Sequence, residues 1–249
     1  MPAALGLALT LLAGGGFDHA ELDTLLRSHV AVGRVDYAAF ARAPGFERYL
    51  AALRSASPDR LEPPERLALW INAYNAYTIR LIVAHGERES IRNINRTLGL
   101  FRLRGPWRER LAAVGGTAHT LDEIESTIVE LAPEDPRVHF ALTPAARGAP
   151  PLRSEAYRGA SLDAQLEDQA RLFVLGSPEK NRVDVAEGIL WVSPVFVEHR
   201  TRFGGDDTAI ARFVAGYYPP GPLRSLLEQG RLALRQTPYD WRLNGAAAE

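Results

Sequence analysis

The chain has 249 residues, 46% apolar and 24% charged, with a formal net charge of −1. That is enough apolar material for a sizeable core, and the near-neutral balance supplies neither a basic surface for nucleic acid nor an acidic tail. There is no cysteine, which excludes disulfides, thiolate metal sites and a thiol nucleophile.

The N-terminus carries an apolar run from Ala3 to Ala13, followed by three glycines. Its length suits the core of an export signal and is too short to span a bilayer. The expectation is cleavage near Gly14 to Phe17 and a periplasmic or secreted mature chain, residues 17–249 forming one domain. A buried N-terminal helix in a cytoplasmic protein is the competing reading, because no Lys or Arg precedes the run. No other stretch could cross a membrane.

Helices come next. Phe17 to Val30 places Leu22, Leu25, Leu26 and Val30 at helical spacing, with Asp18 as N-cap. Gly33 to Phe40 predicts a turn into a short helix, and Phe46 to Leu53 a further amphipathic one. The longest helix should run from Pro63 or Pro64 to His85, with proline in its first turn and Gly86 ending it. It is apolar nearly all round, so it should be central and buried.

Arg108 to Thr120 predicts a hairpin turning at Gly115-Gly116. Thr120 then opens a helix with a capping box to Glu123, continuing through Ile124, Ile128 and Leu131 until Pro133. In Arg137 to Leu142, Val138, Phe140 and Leu142 alternate with Arg137, His139 and Ala141, which predicts a β-strand with His139 on the face opposite the apolar set. A rigid loop follows, containing Pro144, Gly148, Pro150 and Pro151. Beyond it lie a helix from Ser161 to Leu175, a hairpin from Arg182 to Val192, and a helix from Val195 to Phe203. An aspartate-capped helix then ends near Tyr217, a short one runs from Leu223 to Gln229, and the last strand is Arg231 to Gln236. Few strands, paired as hairpins among helices without βαβ alternation, predict an α+β domain with a small antiparallel sheet packed on helices.

From His139 the chain reads HFALTPAARGAPPLR. This resembles the signature of the domain of unknown function 547 family, found in bacteria and plants, whose members read His-Phe-Ala-Leu-Asn-Cys-Gly-Ala-x-Ser-Cys-Pro-Pro-Leu. His139, Phe140, Ala141, Leu142, Ala146, Pro150, Pro151 and Leu152 match. The family's Gly-x-Val-Asp-Tyr entry is matched in GRVDY, and its Trp-Ile-Asn-x-Tyr-Asn-Ala pattern at Trp70 to Ala76. Its Tyr-Asp-Trp-x-Leu-Asn ending is matched at Tyr239 to Asn244. Glu125 matches the glutamate of an Ile-Glu-His motif whose histidine is Ser126 here. Three departures stand out, since the family asparagine is Thr143 and its two cysteines are Pro144 and Ala149. The resemblance implies a distant relation to papain-like thiol hydrolases, where an imidazole activates a thiolate. Here the imidazole remains and the thiol does not.

His139 is therefore the candidate catalytic residue, with Glu125 able to approach it from the preceding helix, either as a vestige or in another chemistry. Asn72 and Asn75 lie one turn apart on the central helix. A buried asparagine without a partner costs about 1–3 kcal/mol, so these two either tie down backbone or line a pocket. Thr143 and Ser193 carry hydroxyls that could replace a thiol. Arg147 and Arg153 could offer a fixed charge to an anionic small molecule or peptide. The six histidines, His19, His29, His85, His119, His139 and His199, show no ligand spacing, so neither metal nor cofactor is expected. Three functions follow. The leading one is a non-catalytic binding protein, a pseudoenzyme with a vestigial cleft around His139. The others are a hydrolase or acyl transferase with a Ser or Thr nucleophile, and a cell-envelope interaction protein.

Overall fold

The computed structural model describes residues 16–94 and 105–246; the run expected to be an export signal lies outside them. Helix α1 (Ala20–His29) turns Leu22, Leu25 and Leu26 inward, and the Asp18 carboxylate accepts from the Ala20 amide at its start. Strands β1 (Val30–Ala31) and β2 (Arg34–Val35) pair antiparallel around a turn. Helix α2 (Tyr37–Arg42) is capped by Asp36, and α3 (Pro44–Arg54) follows directly.

Helix α4 (Pro63–His85) is the axis of the molecule. Pro63 and Pro64 occupy its first turn, and Gly86 ends it at φ 60°, a conformation that costs glycine nothing. Every residue from Leu67 to Ile79 is buried, as its all-round apolarity demands. Helices α2 and α3 pack against it, as does α5 (Leu121–Leu131) on another side. The hairpin of β3 (Ala112–Val114) and β4 (Thr117–His119) leads into α5. There the Thr120 hydroxyl accepts from the Glu123 amide, and the Glu123 carboxylate accepts from the Thr120 amide. This capping box stabilises the helix start by about 1 kcal/mol.

The segment expected as a strand, Arg137 to Leu142, is instead a single helical turn, α6 (Val138–Ala141). It belongs to no sheet, so α4 does not pack on a sheet built from it. Local chemistry explains the difference. The Asp135 carboxylate accepts from the Arg137 amide, and the His139 and Phe140 amides donate back to Pro136 and Arg137, winding the chain before it can extend. All of Val138, His139, Phe140 and Ala141 are buried, so no polar face existed for the alternation to report.

Helix α7 (Leu162–Leu175) then packs on α6 and α4. Strands β5 (Arg182–Asp184) and β6 (Ile189–Val192) form the expected hairpin. Helices α8 (Pro194–Glu198), α9 (Asp207–Ala215) and α10 (Pro222–Glu228) precede β7 (Ala233–Gln236), which joins β6 in parallel. The fold is a single-domain α+β structure in which small sheets flank helices. Among the described residues, no helix is long and apolar enough to cross a membrane. The buried apolar side chains form one cluster around α4 and a second around Phe173, Phe196 and Phe203. The two meet at α6, where Val138 and Ala141 face the first and Phe140 faces the second. His139 sits on that seam.

Candidate functional site

Helix α6 fixes His139 by burying both of its neighbours in sequence. The histidine is 4% exposed, and its ring stacks on His199 with centroids 3.7 Å apart and planes 19° from parallel. Phe203 lies 6.4 Å away on the same cluster. Neither ring nitrogen of His139 has a hydrogen-bond partner among the described residues. Burial, then the neighbouring His199 and Arg202, holds its pKa down to about 3, so the ring is uncharged at neutral pH. His199 follows α8, which starts at Pro194 under a Ser193 cap, and burial likewise lowers its pKa.

Glu125 approaches from α5, with its Oε1 atom 3.9 Å from His199 Nε2, too far for a hydrogen bond. Burial, then Asp122 and Glu198, pushes its pKa up to about 7. One donor atom from each of Glu125, His139 and His199 lies within 4.8 Å of the others. Two imidazoles and a carboxylate thus lie side by side, from α5, α6 and the end of α8.

Glu125 and His199 open onto a cleft of about 260 Å³. Its walls are the rings of Tyr74, Trp107, Tyr239 and Trp241, and its charged lining is Asp122, Glu125 and Glu198. Trp241 packs 4.4 Å from Tyr239 and 5.9 Å from Trp107, while Arg92 covers Trp241 at 5.0 Å. The prolines of the loop, Pro144 and Pro150, complete the rim. Gly148 makes this closure possible. A Cβ there would lie 2.7 Å from the Asp240 amide and 3.0 Å from the Tyr239 ring, so a side chain would push the aromatic segment away. Instead the Arg147 and Gly148 amides donate to the carbonyls of Arg242 and Asp240.

The residues singled out from sequence separate into distinct places. Asn72 donates to the Tyr157 carbonyl and accepts from the Tyr157 amide. Asn75 donates to the Ala141 carbonyl and accepts from the Thr143 amide, tying the end of α6 to the start of the loop. The Thr143 hydroxyl donates to Pro150, and the Ser193 hydroxyl accepts from Val195 as a helix cap. Neither hydroxyl bonds His139. Arg147 donates to the Leu243 carbonyl, and Arg153 pairs with Glu155 and Asp168; neither lines the cleft. Of the two family cysteine positions, Pro144 lines the cleft while Ala149 is buried, its carbonyl accepting from Lys180 Nζ.

Sequence reading missed His199, Glu198, Trp107 and the site role of Tyr239 and Trp241. For the last two a signal existed, because they stand in the matched C-terminal motif. His199 had none: it lies far along the chain from His139, with no spacing rule to connect them.

No curated protein and no solved structure matches the chain. A family model covers residues 58–174, an interval that holds Asn72, Asn75, Glu125 and His139 and stops short of His199 and the aromatic C-terminal segment. Over that interval the chain matches the family described as a protein of unknown function, DUF547.

Proposed function

We propose that this protein is a non-catalytic binding protein whose cleft takes a small organic cation. One observation carries the reading. Four aromatic rings and three carboxylates line the cleft, with no Lys or Arg among its described lining residues. Aromatic faces attract a cation by about 0.5–2 kcal/mol each, more as water is excluded, and carboxylates on the same walls select its sign. This replaces the anionic ligand that Arg147 and Arg153 suggested, since neither arginine lines the cleft.

The binding reading is also supported over an acyl-transfer one by the absence of any hydroxyl hydrogen-bonded to His139. A nucleophile needs a base within hydrogen-bond reach to lose its proton, and Thr143 and Ser193 are committed to backbone. The test uses the two tryptophans in the cleft wall as reporters. Benzyltrimethylammonium should quench tryptophan fluorescence saturably, and phenylacetate of similar size should not. Glu198→Gln should weaken the cation about tenfold, by removing one charge-assisted contact. Equal or tighter binding of phenylacetate would reject the assignment.

A further inference from the structure

We infer that Glu125, His139 and His199 form a binding site for one divalent transition metal of the zinc class, at the inner wall of the cleft. The inference goes beyond the organic-cation reading and does not depend on it.

Two independent observations meet here. The first is the donor set. Two imidazoles and one carboxylate, with donor atoms within 4.8 Å of one another, are the ligand types of three-ligand zinc centres, where a fourth position stays open. The absence of thiolate ligands favours a borderline metal such as Zn²⁺ over soft ions such as Cu⁺, and the imidazoles argue against Mg²⁺ or Ca²⁺, which take oxygen. The second is the unmet demand of His139. Its side chain is almost wholly enclosed, 4% exposed, yet neither ring nitrogen is hydrogen-bonded. A buried polar group in that state is unfavourable. A metal on one nitrogen would satisfy that atom.

The geometry needs closure, and the two less buried ligands are the ones with room to turn. Tetrahedral zinc with bonds of about 2.0–2.1 Å sets its ligand atoms about 3.4 Å apart. The two imidazoles are stacked nearly parallel, so their in-plane lone pairs do not yet converge and one ring must turn. His139 is locked by packing, whereas the side chains of His199 and Glu125 are 29% and 30% exposed. Those two can swing onto a metal held by the fixed one. Arg202 lies close enough to affect both imidazoles, and Asp122 and Glu198 line the cleft beside Glu125. The open coordination position would face the cleft.

The experiment uses the full chain after treatment with a strong chelator. Calorimetric titration with Zn²⁺ should show one equivalent bound, and Co²⁺ should give the intense visible bands of tetrahedral coordination. His199→Ala and Glu125→Gln, both at partly exposed positions outside the two buried apolar clusters, should each weaken Zn²⁺ by at least about tenfold, since even outer contacts of a metal site are worth that much. His85→Ala, on the far end of α4, should bind as wild type. Zn²⁺ should also raise the thermal midpoint of the wild type and leave that of His199→Ala unmoved. An absence of saturable binding, a Co²⁺ spectrum like that of the hydrated ion, or unchanged affinity in both variants would overturn the site. Quenching by benzyltrimethylammonium on the metal-free protein is read separately, so either conclusion can fail while the other stands.

Discussion

Asn75 holds the end of the short turn that carries His139; both residues are buried and polar, and the protein treats them in opposite ways. Each amide group of Asn75 has a backbone partner, at Ala141 and Thr143. Asn72, one turn earlier, repeats the pattern on Tyr157. His139 has no partner on either nitrogen among the described residues. A satisfied buried polar group is an element of architecture, holding a loop that has no ladder to hold it. An unsatisfied one is a cost that the fold tolerates, and such costs gather where something else must bind.

The largest effect should come from breaking the satisfied side. Asn75→Ala leaves the buried Ala141 carbonyl and Thr143 amide unpaired, at about 1–3 kcal/mol each. Urea unfolding should therefore show a loss of about 2–5 kcal/mol, and Asn72→Ala a similar one. A loss below about 1 kcal/mol would mean that water reaches these groups and that the asparagines are not what pins the loop.

A second effect sharpens the comparison with another buried histidine. His19 bonds Tyr49 through Nδ1, at 2.8 Å, while its Nε2 has no partner. Burial first, then Arg158, lowers its pKa from the ordinary 6.5 to about 4, against a small opposing pull from Asp18. The unfolded chain therefore takes up the proton before the folded one does. Stability from this group is complete above about pH 6.5 and is lost as pH falls toward 4. Between pH 7 and pH 5 that amounts to about 2 kcal/mol. His19→Gln, which keeps a polar group near Tyr49 without the titration, should flatten the pH dependence of the unfolding free energy by about that amount. An unchanged slope would show that His19 is not held uncharged.

How far the sequence revealed this arrangement depended on whether burial left a pattern. Helix α4 was legible from end to end, because Pro63 and Gly86 mark its limits and its length leaves no other reading. The capping box at Thr120 and Glu123 was equally plain. Helix α6 was not, for a physical reason: four residues buried on every side carry no periodicity, and Val138 and Phe140 alternate as well in a turn as in a strand. The asparagines were legible as a choice between two roles, which only their partners could decide. Of the site, Glu125 and His139 were legible through their motifs, and His199 was not. A residue brought in by tertiary packing at the end of a five-residue helix leaves no local trace. Guanidinium groups at a loop suggest a ligand, but Arg147 donates to the Leu243 carbonyl, Arg153 pairs with Glu155 and Asp168, and neither lines the cleft.

The smallest expected effect is the most discriminating, because it removes the residue that looks most functional. In chelator-treated protein, His139→Phe deletes two unpaired buried nitrogens and sets a phenyl ring beside Phe203 and the His199 ring. Relief of the unpaired groups favours the variant by about 1–3 kcal/mol. The larger ring opposes it with an overpacking cost of about 1–3 kcal/mol. The net change in unfolding free energy should fall within about 2 kcal/mol of zero. Saturating Zn²⁺ should then part the two proteins, stabilising the wild type in proportion to the logarithm of free metal over its dissociation constant and leaving the variant unmoved. A loss above about 2 kcal/mol in the metal-free state would place His139 with the asparagines, as a structural group whose partners are ordered waters. Near-neutrality without metal, with the gain confined to the wild type once metal is added, is the signature of a residue kept for binding rather than for folding.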